Sequence, residues 1–220
     1  RPATPILIVF VVLQGCSRLE PAAPAEDTLL DGPVAGLSSA EQLRFLRGDV
    51  AFNDEVFHAA NGLGPVFVAT RCASCHAGDG PGHPFTTLTR FGQRHPGGND
   101  FLDQGGPQLQ ERALPGIVPE RIPAGATAAR FLPPLNTGLG FLDAVSDEDL
   151  LAWADEQDAD GDGISGRPNW VERKAYSPLR PNAVEQNGQV IGRFGRKAAV
   201  YDLLQQTVNA YNQDIGVVST

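Results

Sequence analysis

Cys72-Ala73-Ser74-Cys75-His76 places two thiols and an imidazole within five residues, and no other segment limits the fold of this chain as much. The spacing Cys-x-x-Cys-His is the attachment signature of c-type haem. Two thiols add to two vinyl groups of one porphyrin, and the adjacent imidazole reaches the iron from the proximal side. Two other readings use the same cysteines, a zinc half-site and a thioredoxin-like redox pair. Zinc would need a second Cys or His pair, and no cysteine follows Cys75. A thioredoxin-type pair should open a helix after a buried strand. Here residues 64–70, Gly-Pro-Val-Phe-Val-Ala-Thr, read as a short amphipathic helix, and residues 77–82 read as loop. Haem c is therefore the expected cofactor, with Cys72 and Cys75 as attachment points and His76 as iron ligand.

The third cysteine, Cys16, closes an apolar run that starts at Pro5. About eight apolar residues cannot span a bilayer, which takes about 20, but they suit the h-region of a secretory signal peptide. Leu13-Gln14-Gly15-Cys16 further matches a bacterial lipobox, which would leave Cys16 as a lipidated N-terminus; a plain signal peptide with a stray cysteine is the other reading. Residues 1–15 are thus expected to be a lipoprotein-type signal peptide. Residues 16–36 form a Pro/Ala-rich tether, and residues 37–220 the c-type haem domain. Export agrees with haem c, which is attached outside the bacterial inner membrane. The expected location is the periplasm, with membrane attachment through the lipid.

A formal net charge of −9 disfavours nucleic acid as a partner and suits a basic redox partner protein. With 25 glycines and 18 prolines among 220 residues, regular elements must be short. Ser38 and Glu41 form a capping-box pattern leading into a helix over 42–47 that stops at Gly48. Ser146 opens a second helix, with Leu150, Leu151 and Trp153 as packing residues. Ala198, Tyr201, Leu204, Val208 and Tyr211 recur at helical spacing and predict a long helix over 195–213, with Gly216 placed to cap it. The expected fold class is mostly α, a cytochrome c-like haem domain with short helices and long irregular loops.

A second constellation lies at residues 158–166. Asp158, Asp160 and Asp162 followed by Gly163 repeat the front half of an EF-hand calcium loop, and Ile164 can offer its carbonyl. Position 12 is Asn169 rather than the bidentate glutamate, so another acid, such as Asp155, Glu156 or Glu172, would have to complete the shell. A solvated Asp/Gly turn is the plain alternative.

The chain contains no methionine, which excludes His/Met ligation of the iron. His95, in the loop 94–98, is the distal candidate; His83 lies too near His76 in sequence, and His58 reads as a surface residue. An open sixth position would admit peroxide, whose cleavage needs a distal acid/base and a polar group. Gln108 and Glu111 are the candidates for those catalytic roles, and Arg71 is a possible partner for a haem propionate.

Three stretches together resemble the di-haem oxidoreductase family of peroxidases, also described as thiol-oxidoreductase-like and distantly similar to bacterial di-haem cytochrome c peroxidases. They are residues 62–76 with the cysteine motif, residues 139–167 with the acidic loop, and residues 192–198 with the helix that follows. The resemblance spans roughly residues 40–220. It implies a peroxidase-like redox enzyme with one haem and one calcium ion in this part. It also implies a second haem domain in the same protein, because members carry a second Cys-x-x-Cys-His that is missing here. The expectation is that this chain is the N-terminal part of a longer di-haem protein. The alternative is an electron-transfer cytochrome c with no substrate of its own.

Overall fold

The computed structural model describes residues 32–77, 80–95 and 98–217, so Cys16, the signal peptide and most of the tether lie outside the described residues. Those described from Pro33 onward belong to one unit.

Ser38 caps α1 (Ser39–Asn53): its side chain accepts from the Glu41 N–H while the Glu41 carboxylate takes the Ser38 N–H at 2.9 Å. The helix runs through Gly48 to Asn53, because a single glycine costs only about 1 kcal/mol in a helix interior. The next segment is not helical. Residues 64–70 form no helix; within them β1 (Val66–Phe67) pairs antiparallel with β5 (Arg112–Ala113). Pro65 removes a donor, and a seven-residue window cannot separate helix from strand periodicity.

β2 (Leu88–Gly92) pairs antiparallel with β6 (Thr127–Phe131) over five residues, and β3 (Arg94–His95) pairs with β4 (Gly98–Asn99). Two short helices follow, α2 (Leu139–Ala144) and α3 (Asp147–Ala152). The Ser146 side chain caps α3 as expected, accepting from the Asp149 N–H at 3.0 Å. Trp153, expected to pack, is 73 % exposed. A three-stranded antiparallel sheet is built from β7 (Trp170–Glu172), β8 (Glu185–Gln186) and β9 (Gln189–Ile191), with β9 central. The chain then enters α4 (Leu203–Asp214).

The expectation of a mostly α, cytochrome c-like fold is therefore wrong: the structure is 27 % helix and 16 % strand, with several small antiparallel sheets. Its strands are two to five residues long, too short to show a period of two. β6 is exposed at all five positions and carries no apolar alternation. The last helix begins at Leu203, not near 195. Ala198 takes a left-handed turn (φ 46°), and Asp202 is the N-cap, accepting from the Gln205 N–H at 2.7 Å. Leu204, placed on the buried stripe by the sequence, is 48 % exposed, and Gln205 is buried instead.

The core cluster is Phe57, Leu63, Phe67 and Ile215, with Leu114, Tyr211 and Val217 packed against it. It joins the segment before the cysteine motif to the end of α4. Gly64 N–H donates to the Ile215 carbonyl at 3.1 Å. The backbones touch so closely there that a Cβ on Gly64 would sit 1.9 Å from the Gly216 carbonyl oxygen.

Candidate functional site

Arg71 is extended, and the chain then folds into a 3-10 turn over Cys72–Ser74. The N–H groups of Cys75 and His76 both donate to the Cys72 carbonyl at 3.0 Å, bringing the two thiols and the imidazole onto one tight turn. Three elements hold this turn. Thr70 carbonyl accepts from the Phe57 N–H at 2.7 Å, Thr86 Oγ1 reaches the Cys75 carbonyl at 3.5 Å, and Phe52 at the end of α1 packs its ring 5.8 Å from that of His76. His76 Nδ1 lies 3.3 Å from the Gly80 carbonyl. In the tautomer that donates there, Nε2 keeps its lone pair for a metal.

Both thiols are half-buried. Burial pushes the Cys72 thiol up from its ordinary value, and the negative charge of Asp214 adds to it. Cys75 is raised by the same two causes, with Arg112 opposing. A thiol-redox pair needs the reverse, a thiolate stabilised by positive surroundings. These side chains are held as thiols, the form that adds to a vinyl group.

The acid responsible was not singled out from the sequence. Asp214 ends α4, and burial lifts its carboxyl to about 6, with Arg90 opposing. Tyr211, one turn earlier, was read only as a packing residue. Its ring meets Phe57 edge-on at 5.6 Å, and its hydroxyl is raised by burial, then by Cys72 and Glu55.

The other expected site residues fall apart. Gln108 is 4 % exposed, and its Nε2 has no hydrogen-bond partner among the described residues. It lines a cavity of about 110 Å3 with Gly105, Gln110, Asn212 and Gln213. Gln110 donates to the carbonyls of Asn212 and Gln213 at 3.0 Å, tying this loop to the end of α4. Glu111 is exposed and does not line that cavity. His95 lies in β3, paired with Gly98, and its side chain is outside what the structure describes.

In the acidic loop, ligand atoms of Asp155, Asp158 and Asp160 lie within 4.8 Å of one another. No other set of three His, Cys, Asp or Glu side chains converges this way among the described residues. Asp155 N–H donates to the Gly166 carbonyl at 3.0 Å and closes the loop at its base. Asp158 is left-handed (φ 53°) and its carboxylate accepts from the Gly163 N–H at 3.0 Å. Asp162 turns its carboxylate to the Ile164 N–H at 2.7 Å, so the converging trio is not the expected one; Asp155 stands where Asp162 was placed. Ile164 itself is 70 % exposed.

The two sites comprise a cysteine–histidine turn suited to covalent attachment and metal ligation, and an acidic loop suited to a hard cation. Residues 127–220 match the family model described as "Di-haem oxidoreductase, putative peroxidase". This is the family that the sequence motifs resemble, and its name indicates haem and oxidoreductase chemistry for its members. The matched stretch contains the acidic loop and α4, and lies after the cysteine motif. No curated protein and no solved structure matches the chain.

Proposed function

We propose that this chain is one haem-bearing part of a peroxidase-like di-haem oxidoreductase. Cys72 and Cys75 hold the haem through thioether bonds, and His76 ligates its iron. The observation that carries the reading is the turn itself: two thiols held protonated on one turn of chain, with an adjacent imidazole whose Nδ1 lies 3.3 Å from the Gly80 carbonyl. The donor set fits that group. The family match over 127–220 supplies independent support.

When bound, haem supplies the one-electron chemistry. The chain's own part is to orient the imidazole, through Gly80 and Phe52, and to surround the site with Asp214, Tyr211 and Arg90. Gln108, buried and with its Nε2 unpartnered among the described residues, is the better candidate of the two for contact with a peroxide, since Glu111 is exposed. Calcium in the loop of Asp155, Asp158 and Asp160 would hold the segment between α3 and β7. A periplasmic, lipid-anchored protein with a redox partner protein and a second haem domain completes the proposal.

The test is the ferric absorption and electron paramagnetic resonance spectrum of the haem-loaded chain. A high-spin signal that shifts on adding cyanide or peroxide supports an enzyme with an exchangeable site. A low-spin signal indifferent to both points to an electron carrier and counts against peroxidase chemistry.

A further inference from the structure

None of the residues of α1 is fully buried, and the helix carries apolar side chains on two sides. Phe45, Asp49 and Phe52, at i, i+4 and i+7, are half-buried, and the Phe52 ring packs 5.8 Å from that of His76. Leu43, Leu46 and Val50 are turned away from them, at i, i+3 and i+7. At 100° per residue these three share an arc of about 60°. They are 50 %, 50 % and 55 % exposed. A helix that only served the core would keep its apolar stripe inside and leave the outer side polar.

The polar residues around the outer stripe are sorted by charge. Arg47 and then Arg44 run along one edge, and Gln42 lies along the other. Glu41 is on the opposite side of the helix, where its carboxylate takes the Ser38 N–H. Asp49 lies among the half-buried positions, and its carboxylate accepts from Asn53 Nδ2 at 2.9 Å. Within α1 the outer stripe is therefore bordered by arginine and by no acid; the next acid is the cap residue Asp54.

Position in the chain adds a second constraint. Residues 17–38 are all that separates Cys16 from α1. Whatever their conformation, 22 residues reach no further than about 75 Å. A lipid on Cys16 would hold α1 near the membrane surface, where a contact far too weak to form from solution is populated by effective concentration alone.

Resting on the lipid anchor proposed above, we propose that the outer face of α1 lies in the interface of the membrane that the anchor enters. The occupant is an anionic phospholipid surface. Leu43, Leu46 and Val50 enter the boundary below the headgroups, and Arg44 and Arg47 reach the phosphates while their stems lie along the apolar layer. The net charge of −9 opposes such a surface, but charges more than about 8–10 Å away are largely screened at physiological ionic strength, so the local arginines decide. Contact on this face would leave the cysteine turn about one helix diameter, ~10–12 Å, from the lipid. The helix that packs on His76 would then also set the height of the haem above the membrane.

The experiment uses the full lipid-anchored chain carrying Leu46→Cys, in vesicles of equal parts phosphatidylglycerol and phosphatidylcholine. Reaction of the new thiol with a charged, water-soluble maleimide is followed by peptide mass. It should be at least about tenfold slower than in a chain that also carries Leu43→Ser and Val50→Ser. Replacing Arg44 and Arg47 by glutamine should speed it as well. Val118→Cys, at a position 76 % exposed, should react equally fast with and without those changes. Equal rates at position 46 in the two backgrounds overturn the inference. So does a short bismaleimide that joins two chains through position 46, because a second copy then covers the stripe. A chain whose Cys16 bears no lipid overturns the anchor reading and this proposal with it, whereas an anchored chain with a fully reactive thiol at position 46 overturns this inference alone.

Discussion

Arg193 and Asp147 form an ion pair whose side chains are each only 2 % exposed, joining the strand end after β9 to the first turn of α3. The Asp147 carboxylate also accepts from the Val184 N–H at 2.8 Å, and Arg193 donates to the carbonyls of Leu142, Asp143 and Val145, which end α2. Removing Asp147 leaves the Arg193 charge buried with backbone carbonyls but no counter-charge. We expect Asp147→Ala to cost about 3–5 kcal/mol, read as a lower urea midpoint. A loss below about 1 kcal/mol, the range of exposed pairs, would show that the pair is solvated.

The acidic loop predicts a calcium-dependent melting temperature. At free calcium 100 times the dissociation constant the gain is about 2.7 kcal/mol. Asp158→Asn or Asp160→Asn should remove most of it, because each supplies one of the three converging ligand atoms. An unshifted melting curve in millimolar calcium would mark the loop as a plain Asp/Gly turn, with its carboxylates satisfied by the N–H groups of Ala159, Asp162 and Gly163.

Asp214 predicts an acid-side stability profile in the haem-free chain. Its folded carboxyl titrates at about 6, above the ordinary 3.8, so between those values the folded state binds more protons than the unfolded one. Stability is then highest below the unfolded value and falls as pH rises through the folded one. Asp214→Asn should flatten that fall and stabilise the chain above it by on the order of 2 kcal/mol. Denaturant midpoints across this range, with an unchanged slope in the variant, would contradict the assignment.

Gly64 tests how tightly the cysteine turn is tied to α4. A methyl group there would stand 1.9 Å from the Gly216 carbonyl oxygen and 2.4 Å from its carbon, so backbone must shift. Overpacking of this kind costs about 1–3 kcal/mol. We expect Gly64→Ala to lower the melting temperature and the yield of covalent haem together, and a variant with native stability would show that this contact is slack.

What the sequence made legible was local chemistry. Cys72, Cys75 and His76 come together because five consecutive residues can hardly do otherwise, and the helix caps at Ser38 and Ser146 act over three residues. The acidic loop was legible for the same reason, except that Asp155 replaces Asp162 among the converging acids. The strands were not, since pieces of two or three residues are too short to show a period, and β1 owes its pairing to a distant partner, as Val66 does to Ala113. Asp214 was hidden likewise. It is 138 residues from His76 in sequence, and only the docking of α4 on β1 brings it to the cysteines.

The central claim is best tested by expressing the full chain with cytochrome c maturation machinery and measuring its mass after denaturation, alongside the pyridine haemochrome spectrum. The account predicts one haem retained per chain, with a thioether-type spectrum, and none retained when Cys72 and Cys75 are both changed to alanine. A chain that keeps its unmodified mass under these conditions would contradict it.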